Sequence, residues 1–213
     1  MFDGKTLPSL GSNSVWLLTP LVSPGRPKPT SPGPVRAIIT LMVLVVAGGS
    51  CSGKSTLAAA VAPRLGARHI KGDAYFRTDD PAAPRILIAG EMAFDCNHPE
   101  TLDLARMLDD IQSTPGPVIV DSHFGLYHPE LRALATHRVF VACEADIRAM
   151  RRLVRGYPHR GEPQALMEEY MAGARPAFDR YVAPTQAYAD LVLDGARPTQ
   201  ALAEELLGWL QVG

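Results

Sequence analysis

The chain has 213 residues, a formal net charge of −1 and an ordinary balance of apolar and charged residues, enough for one sizeable core with a small appended lid. That near-neutrality removes any whole-chain argument for a nucleic-acid partner or an anionic membrane. Cys51, Cys96 and Cys143 lack metal-ligand spacing and cannot all pair, which points to free thiols and a cytoplasmic setting; the longest apolar run, 37–47, is too short to span a bilayer.

Met1 to Arg36 holds seven of the 19 prolines and shows no helical or strand period. Residues 1–40 therefore read as a disordered leader or a mis-assigned start, and 41–213 as one domain. Met42, where the first strand begins, is the expected natural start; finding Met1 on the native protein by mass spectrometry would refute that.

From Leu44 an apolar run ends in Gly48-Gly49-Ser50-Cys51-Ser52-Gly53-Lys54-Ser55-Thr56, the pattern G-x-x-x-x-G-K-[ST]. A helix predicted from Leu57 to Leu65 follows, so strand, loop and helix come in the order of a P-loop. Glycines let backbone N–H groups close around a phosphate, and the helix N-terminus adds partial positive charge. Lys54 reaches the β- and γ-phosphates, and the Ser55 hydroxyl suits magnesium. The expected cofactors are ATP, or another NTP, and Mg2+.

A short strand, Ala67 to Lys71, precedes Asp73. Thr78 to Ala93 reads as a loop and Pro99 to Ile111 as a helix. Pro117 to Asp121 is a buried strand with a terminal acid, the Walker-B-like place for a magnesium ligand. Asp73, at the end of its own strand, is placed to take the proton of a substrate hydroxyl and lies within reach of the metal. Pro129 to Ala135 is a short helix and His137 to Ala142 another strand. On the next helix, Glu144 to Arg155, the arginines Arg148, Arg151, Arg152 and Arg155 share a broad face. With Arg160 in the following loop they suit a lid, about 152–165, that closes on phosphates. Helices over Glu162 to Ala174 and Pro176 to Ala189, the latter interrupted near Pro184, a strand Asp190 to Leu193 and a helix Pro198 to Leu210 complete the chain. Strands alternating with helices predict an α/β fold of the P-loop NTPase type: a parallel sheet covered by helices on both faces, with ligands at the strand carboxyl ends. The six histidines form no metal constellation; His98, before Pro99, reads as a pocket or capping residue.

With these segments assembled, the chain from about Met42 to Leu210 resembles the uridine kinase family of P-loop kinases, related to phosphoribulokinase and nicotinamide riboside kinase. Gly48 to Thr56 resembles the family's G-G-S-x-S-G-K-[ST]-T. Asp73-Ala74-Tyr75-Phe76-Arg77 resembles D-x-F-Y-[RK], and Asn97-His98-Pro99-Glu100 resembles D-H-P-[DE]. Val118 to Arg152 and Tyr170 to Asp194 are similar to the later blocks. The resemblance implies that Ser55, Asp73 and Asp121 surround magnesium and that Asp73 is the catalytic base. It places Lys54, Arg152, Arg155 and Arg160 around the transferred phosphate, and Tyr75, Phe76, Asn97, His98, Arg152 and Glu169 beside Asp73 on the substrate side.

The departures concern the acceptor. The family acid before His-Pro is Asn97, E-G-I becomes Asp121-Ser122-His123, and the Gln before the tyrosine is Glu169. Only Gln112 to Gly116 stands where the family has a β-hairpin that reads the pyrimidine. Losing buried hydrogen-bond partners removes discrimination, so phosphoryl transfer is expected while uridine itself is in doubt. The acceptor is expected to be a nucleoside or a related sugar-like compound, without nucleic acid or membrane, in a monomer or a homo-oligomer. A nucleotide-binding regulatory protein of the same fold is the alternative; an NTP hydrolase ranks last, because no water-positioning glutamine stands out.

Overall fold

The computed structural model describes residues 42–212 apart from 89, 158 and 160. The leader expected at 1–40 lies outside the described residues, as does Arg160. The chain runs β1 (Val43–Ala47), α1 (Lys54–Leu65), β2 (Arg68–Lys71), β3 (Arg85–Ile88), β4 (Glu91–Phe94), α2 (Leu104–Ser113), β5 (Val118–Asp121), α3 (Pro129–Leu134), β6 (His137–Ala142), α4 (Ala145–Gly156), α5 (Pro163–Glu169), β7 (Leu191–Asp194) and α6 (Thr199–Val212).

Five strands form one parallel sheet in the order β2-β5-β1-β6-β7. In the middle of this sheet β1 and β5 are almost wholly buried, which is why they read as continuous apolar runs rather than alternating ones. One face packs Leu44, Val46, Ile119, Val139 and Val141 against α1 and α6 through Leu57, Val61, Leu202 and Leu206. The other packs Val45, Val120 and Phe140 against Met107, Ile111, Phe124 and Leu131. Helices thus cover both faces, and β1 delivers the phosphate loop at a point where its neighbours on either side come from later in the chain.

Three expectations are corrected. The stretch read as a loop, Thr78 to Ala93, contains an antiparallel hairpin in which β3 pairs with β4 from Arg85↔Phe94 to Ile88↔Glu91. Gly90 takes φ +88°, the left-handed region that a tight turn uses. The helix expected over Pro99 to Ile111 is split: Pro99–Thr101 is a 3₁₀ turn, and α2 starts afresh with the Asp103 carboxylate accepting from the Arg106 N–H at 3.1 Å. Conversely, the two helices expected from Glu162 to Ala189 are continuous. α5 runs through Tyr170–Ala174, Arg175–Ala177 and Phe178–Val182 into the 3₁₀ segment Ala183–Tyr188. Pro176 lacks an N–H, and the π-helical turns on either side of it reroute the backbone pairing that would otherwise break. As expected, α2 connects to β5 directly, with no hairpin between them.

Candidate active site

The phosphate loop joins β1 to α1, and α1 begins at Lys54 itself rather than at Leu57. Gly48 sits at φ +143°, and a Cβ there would lie 2.5 Å from the Val141 carbonyl oxygen of β6, so only glycine lets the loop pass. Cys51 is in the left-handed region at φ +64°. Lys54 is 7% exposed and has no acid partner among the described residues. The buried Ser52 hydroxyl oxygen likewise has no hydrogen-bond partner. A buried cation and an orphaned hydroxyl in a glycine loop fit an anionic group with several acceptor oxygens.

Next to it, the Ser55 hydroxyl donates to Asp121 Oδ1 at 2.8 Å. Asp121 is buried, and its Oδ2 meets His69 Nε2 at 2.5 Å. His69 is a partner that sequence reasoning missed. Only the parallel register Lys71↔Asp121 reveals that His69, two residues earlier on β2, stands on the same side as the acid. Ser55 and Asp121 are hard oxygen ligands suited to magnesium. Among the described residues no cluster of three or more His, Cys, Asp or Glu could cage a metal, so a cation here would draw its other ligands from phosphates and water.

Asp73 lies in a 3₁₀ turn (Gly72–Tyr75) that continues β2, with its side chain 74% exposed. Across from it stands His123, which follows β5 by two residues: its Nδ1 is 3.9 Å from Asp73 Oδ1 and its Nε2 is 3.1 Å from the Cys96 carbonyl. Burial, reinforced by the positive charge of Lys54, pushes the His123 imidazole down to about 4. Burial also raises the Cys96 thiol, with charged Arg152, Glu169, Asp95 and Asp73 close enough to act on it. These residues come from the segments that follow β2, β4 and β5 and from α4 and α5, so the chain gathers them at the strand carboxyl ends.

The substrate-side residues divide. Phe76 joins the His123 cluster, its ring 6.0 Å from Phe94 and 5.8 Å from His123. Asn97 caps nothing; its own N–H donates to Asp95 at 3.0 Å, and its amide lies beside Gly173. Glu169 pairs with Arg152, Nη2 to Oε1 at 2.6 Å, with the arginine almost sealed from solvent. Tyr75 is corrected: it is buried, its hydroxyl donates to Asp110 at 2.6 Å and Arg106 lies over its ring, so it anchors α2 instead of lining the pocket. His98 takes the capping role, accepting from the Glu100 N–H at 3.3 Å with its ring edge on Tyr181.

The arginines of α4 resolve into two rows four residues apart. Arg148 and Arg152 are buried, Arg148 stacking 3.8 Å over Phe178. Arg151 and Arg155 line a cavity of about 330 Å³ with Cys51, Thr56, Gly195 and Arg197. Arg151 also donates to the Gly195 carbonyl at 2.8 Å, tying the phosphate loop to the β7–α6 turn. That turn is a further part of the site that the sequence did not announce.

Comparison with known proteins agrees with this geometry. Residues 109–202 match the model of the phosphoribulokinase / uridine kinase family. The chain is 32% identical over 185 residues to a uridine kinase of Chloroflexus aurantiacus, covering 72% of this chain and 87% of that one. It is 30% identical over 182 residues to a uridine kinase of Deinococcus deserti, covering 71% and 86%. Among solved structures, shikimate kinase from Acinetobacter baumannii superposes with a TM-score of 0.54 at 14% identity, covering 84% of this chain and 98% of that one, a likeness of fold alone. The order of motifs, the parallel sheet and the level of identity together show that the chain belongs to the phosphoribulokinase / uridine kinase family and is a small-molecule kinase.

Proposed function

We propose that the protein transfers the γ-phosphoryl group of ATP, with magnesium, to a hydroxyl of a nucleoside or a related sugar-like compound. The observation that carries the reading is the convergence of a buried Lys54 with no acid partner among the described residues, the Ser55–Asp121 hydrogen bond and an open Asp73, with Lys54, Asp121 and Asp73 all close enough to His123 to act on its ring. Magnesium, when bound by Ser55 and Asp121 with Asp73 in reach, would neutralise phosphate charge. The loop N–H groups from Gly49 to Thr56 hold the phosphates, and Lys54 stabilises the charge that develops on them. Asp73 accepts the proton as the acceptor oxygen bonds to phosphorus and the bond from phosphorus to the leaving ADP oxygen breaks. Arg152, Arg155 and Arg160 belong to a lid over about 152–165 that supplies further positive charge and excludes water. Residues 41–213 are read as one kinase domain, and the free cysteines support a cytoplasmic setting.

Asp73→Asn tests the central assignment. Turnover should fall by about 10²–10⁴-fold with ATP affinity nearly unchanged, because the side chain is exposed and holds no part of the phosphate loop. Turnover equal to wild type in that variant would remove Asp73 as the base.

A further inference from the structure

A second cavity, of about 540 Å³, opens where β6 and β7 end beside the start of α4 and the Phe178–Val182 turn. That volume lies within the roughly 300–1,000 Å³ of small-molecule sites. Lys54, Ser55, Asp73 and Asp121 do not line it, so it stands outside the phosphoryl-transfer chemistry. Its lining is graded in depth. Phe140 and Arg148, 1% and 2% exposed, make the floor, and the exposed Glu144, Val192 and Asp194 make the rim. The floor holds a cation without a counter-charge. Arg148 Nε donates to the Cys143 carbonyl at 3.0 Å and the guanidinium lies 3.8 Å over the Phe178 ring. Its two Nη nitrogens meet no acceptor, and no acid pairs with it, among the described residues. A guanidinium this buried calls for an anion, and a ring face offsets only part of its desolvation. At the rim the imbalance is reversed. Arg175 is taken by Asp179 at 3.0 Å, whereas Glu144 and Asp194 form no ion pair among the described residues.

We propose that this cavity is a second ligand site, separate from the kinase reaction, for a small zwitterion with an apolar body, the chemistry of an apolar amino acid. A carboxylate pairs with Arg148, an ammonium is held by Glu144 and Asp194, and the apolar part covers Phe140, Phe178 and Val192. Glu144 and Arg148 stand one turn apart on the same face of α4, so neighbouring charges of one ligand reach both. The competing counter-charge for Arg148 is a nucleotide phosphate. A Cβ on Gly49 of the phosphate loop would stand 2.8 Å from Arg148 Nη1 and 2.9 Å from the Phe178 ring, so the Arg148–Phe178 stack also touches that loop. The two sources of anion are separated by asking whether the ligand itself needs a carboxylate.

The test is ¹H–¹⁵N NMR of the full chain, titrated with L-leucine, L-phenylalanine and L-tryptophan. None of these probes has an alcohol to phosphorylate, so the result is independent of the acceptor proposed above. At least one should give saturable shifts centred on residues 142–148 and 191–194. Analogues of the tightest binder that lack the ammonium or the carboxylate should each bind about tenfold more weakly. Glu144→Gln, which keeps the shape of the rim, should weaken binding about fivefold. Val192→Trp, at a 43% exposed position, should fill the cavity and abolish it. Unchanged ATP affinity certifies the fold of both variants. No saturable shift with any of the three amino acids overturns the proposal. An analogue without the carboxylate that binds as tightly as its parent also overturns it and leaves Arg148 to a nucleotide phosphate. Binding indifferent to Val192→Trp places the ligand elsewhere and overturns it too.

Discussion

The two ends of this pocket are built differently. The phosphate end is one contiguous stretch, Gly48 to Thr56, standing on β1 and α1, both packed into the core of the fold. The acceptor end is collected from β2, the β3–β4 hairpin, the turn after β5, α4 and α5. Its hairpin shows Leu87 and Met92, paired across the strands, 61% and 60% exposed. A phosphate is always the same shape, so backbone N–H groups on a rigid core can grip it. An acceptor must be told from its analogues, and that selectivity is carried by side chains on thinner elements.

The contrast can be broken most sharply in catalysis. Lys54→Ala should lower kcat by about 10²–10³-fold for every acceptor alike, because the charge it stabilises is common to all of them. A loss confined to one acceptor would place Lys54 on the wrong side of the division. Stability offers a second test. Leu44→Ala, beneath the phosphate loop and fully buried, should cost about 2–5 kcal/mol in urea unfolding, whereas Leu87→Ser on the hairpin should stay within about 0.5 kcal/mol. Similar costs at the two sites would mean that the hairpin belongs to the cooperative core.

The smallest expected effect concerns pH. Burial lowers the pKa of His128 and His137 below the ordinary 6.5, so the folded protein holds both neutral while the unfolded chain protonates them first. Their contribution is complete above about pH 6.5 and is lost as the pH falls below it. The urea midpoint should therefore be lower at pH 5.5 than at pH 7.5, and His137→Phe, which keeps an aromatic ring beside Trp209, should flatten part of that slope. A midpoint that rises on acidification would contradict the assignment.

The same division governs what could be read from the residues alone. The phosphate loop, β5 with Asp121, and the alternation of strand and helix were legible, because each is a local pattern enforced by burial in the middle of a sheet. The hairpin was not: Arg85–Ile88 and Glu91–Phe94 are four residues each, half exposed, and carry little apolar contrast. Pro176 suggested a helix break that π-helical turns absorb, whereas the interruption read near Pro184 is the change to 3₁₀ at Ala183. Tyr75 and Phe76 are adjacent in a motif, yet the backbone turns one toward Asp110 and the other toward His123. The contacts of His69 with Asp121 and of His123 with Asp73 join residues about fifty positions apart. Only the strand register and order bring them together.

The most direct test of the account is ADP release from ATP with magnesium against uridine, cytidine, nicotinamide riboside, ribose, pantothenate and a no-acceptor control. Release stimulated well above the control by at least one hydroxyl compound, and abolished by chelating magnesium, is the predicted result. Release that proceeds equally without any acceptor would make water the acceptor and contradict the assignment of a kinase. Bound ATP with no release under any condition would point instead to a nucleotide-binding protein that keeps the phosphate end of the pocket and has lost the use of the other.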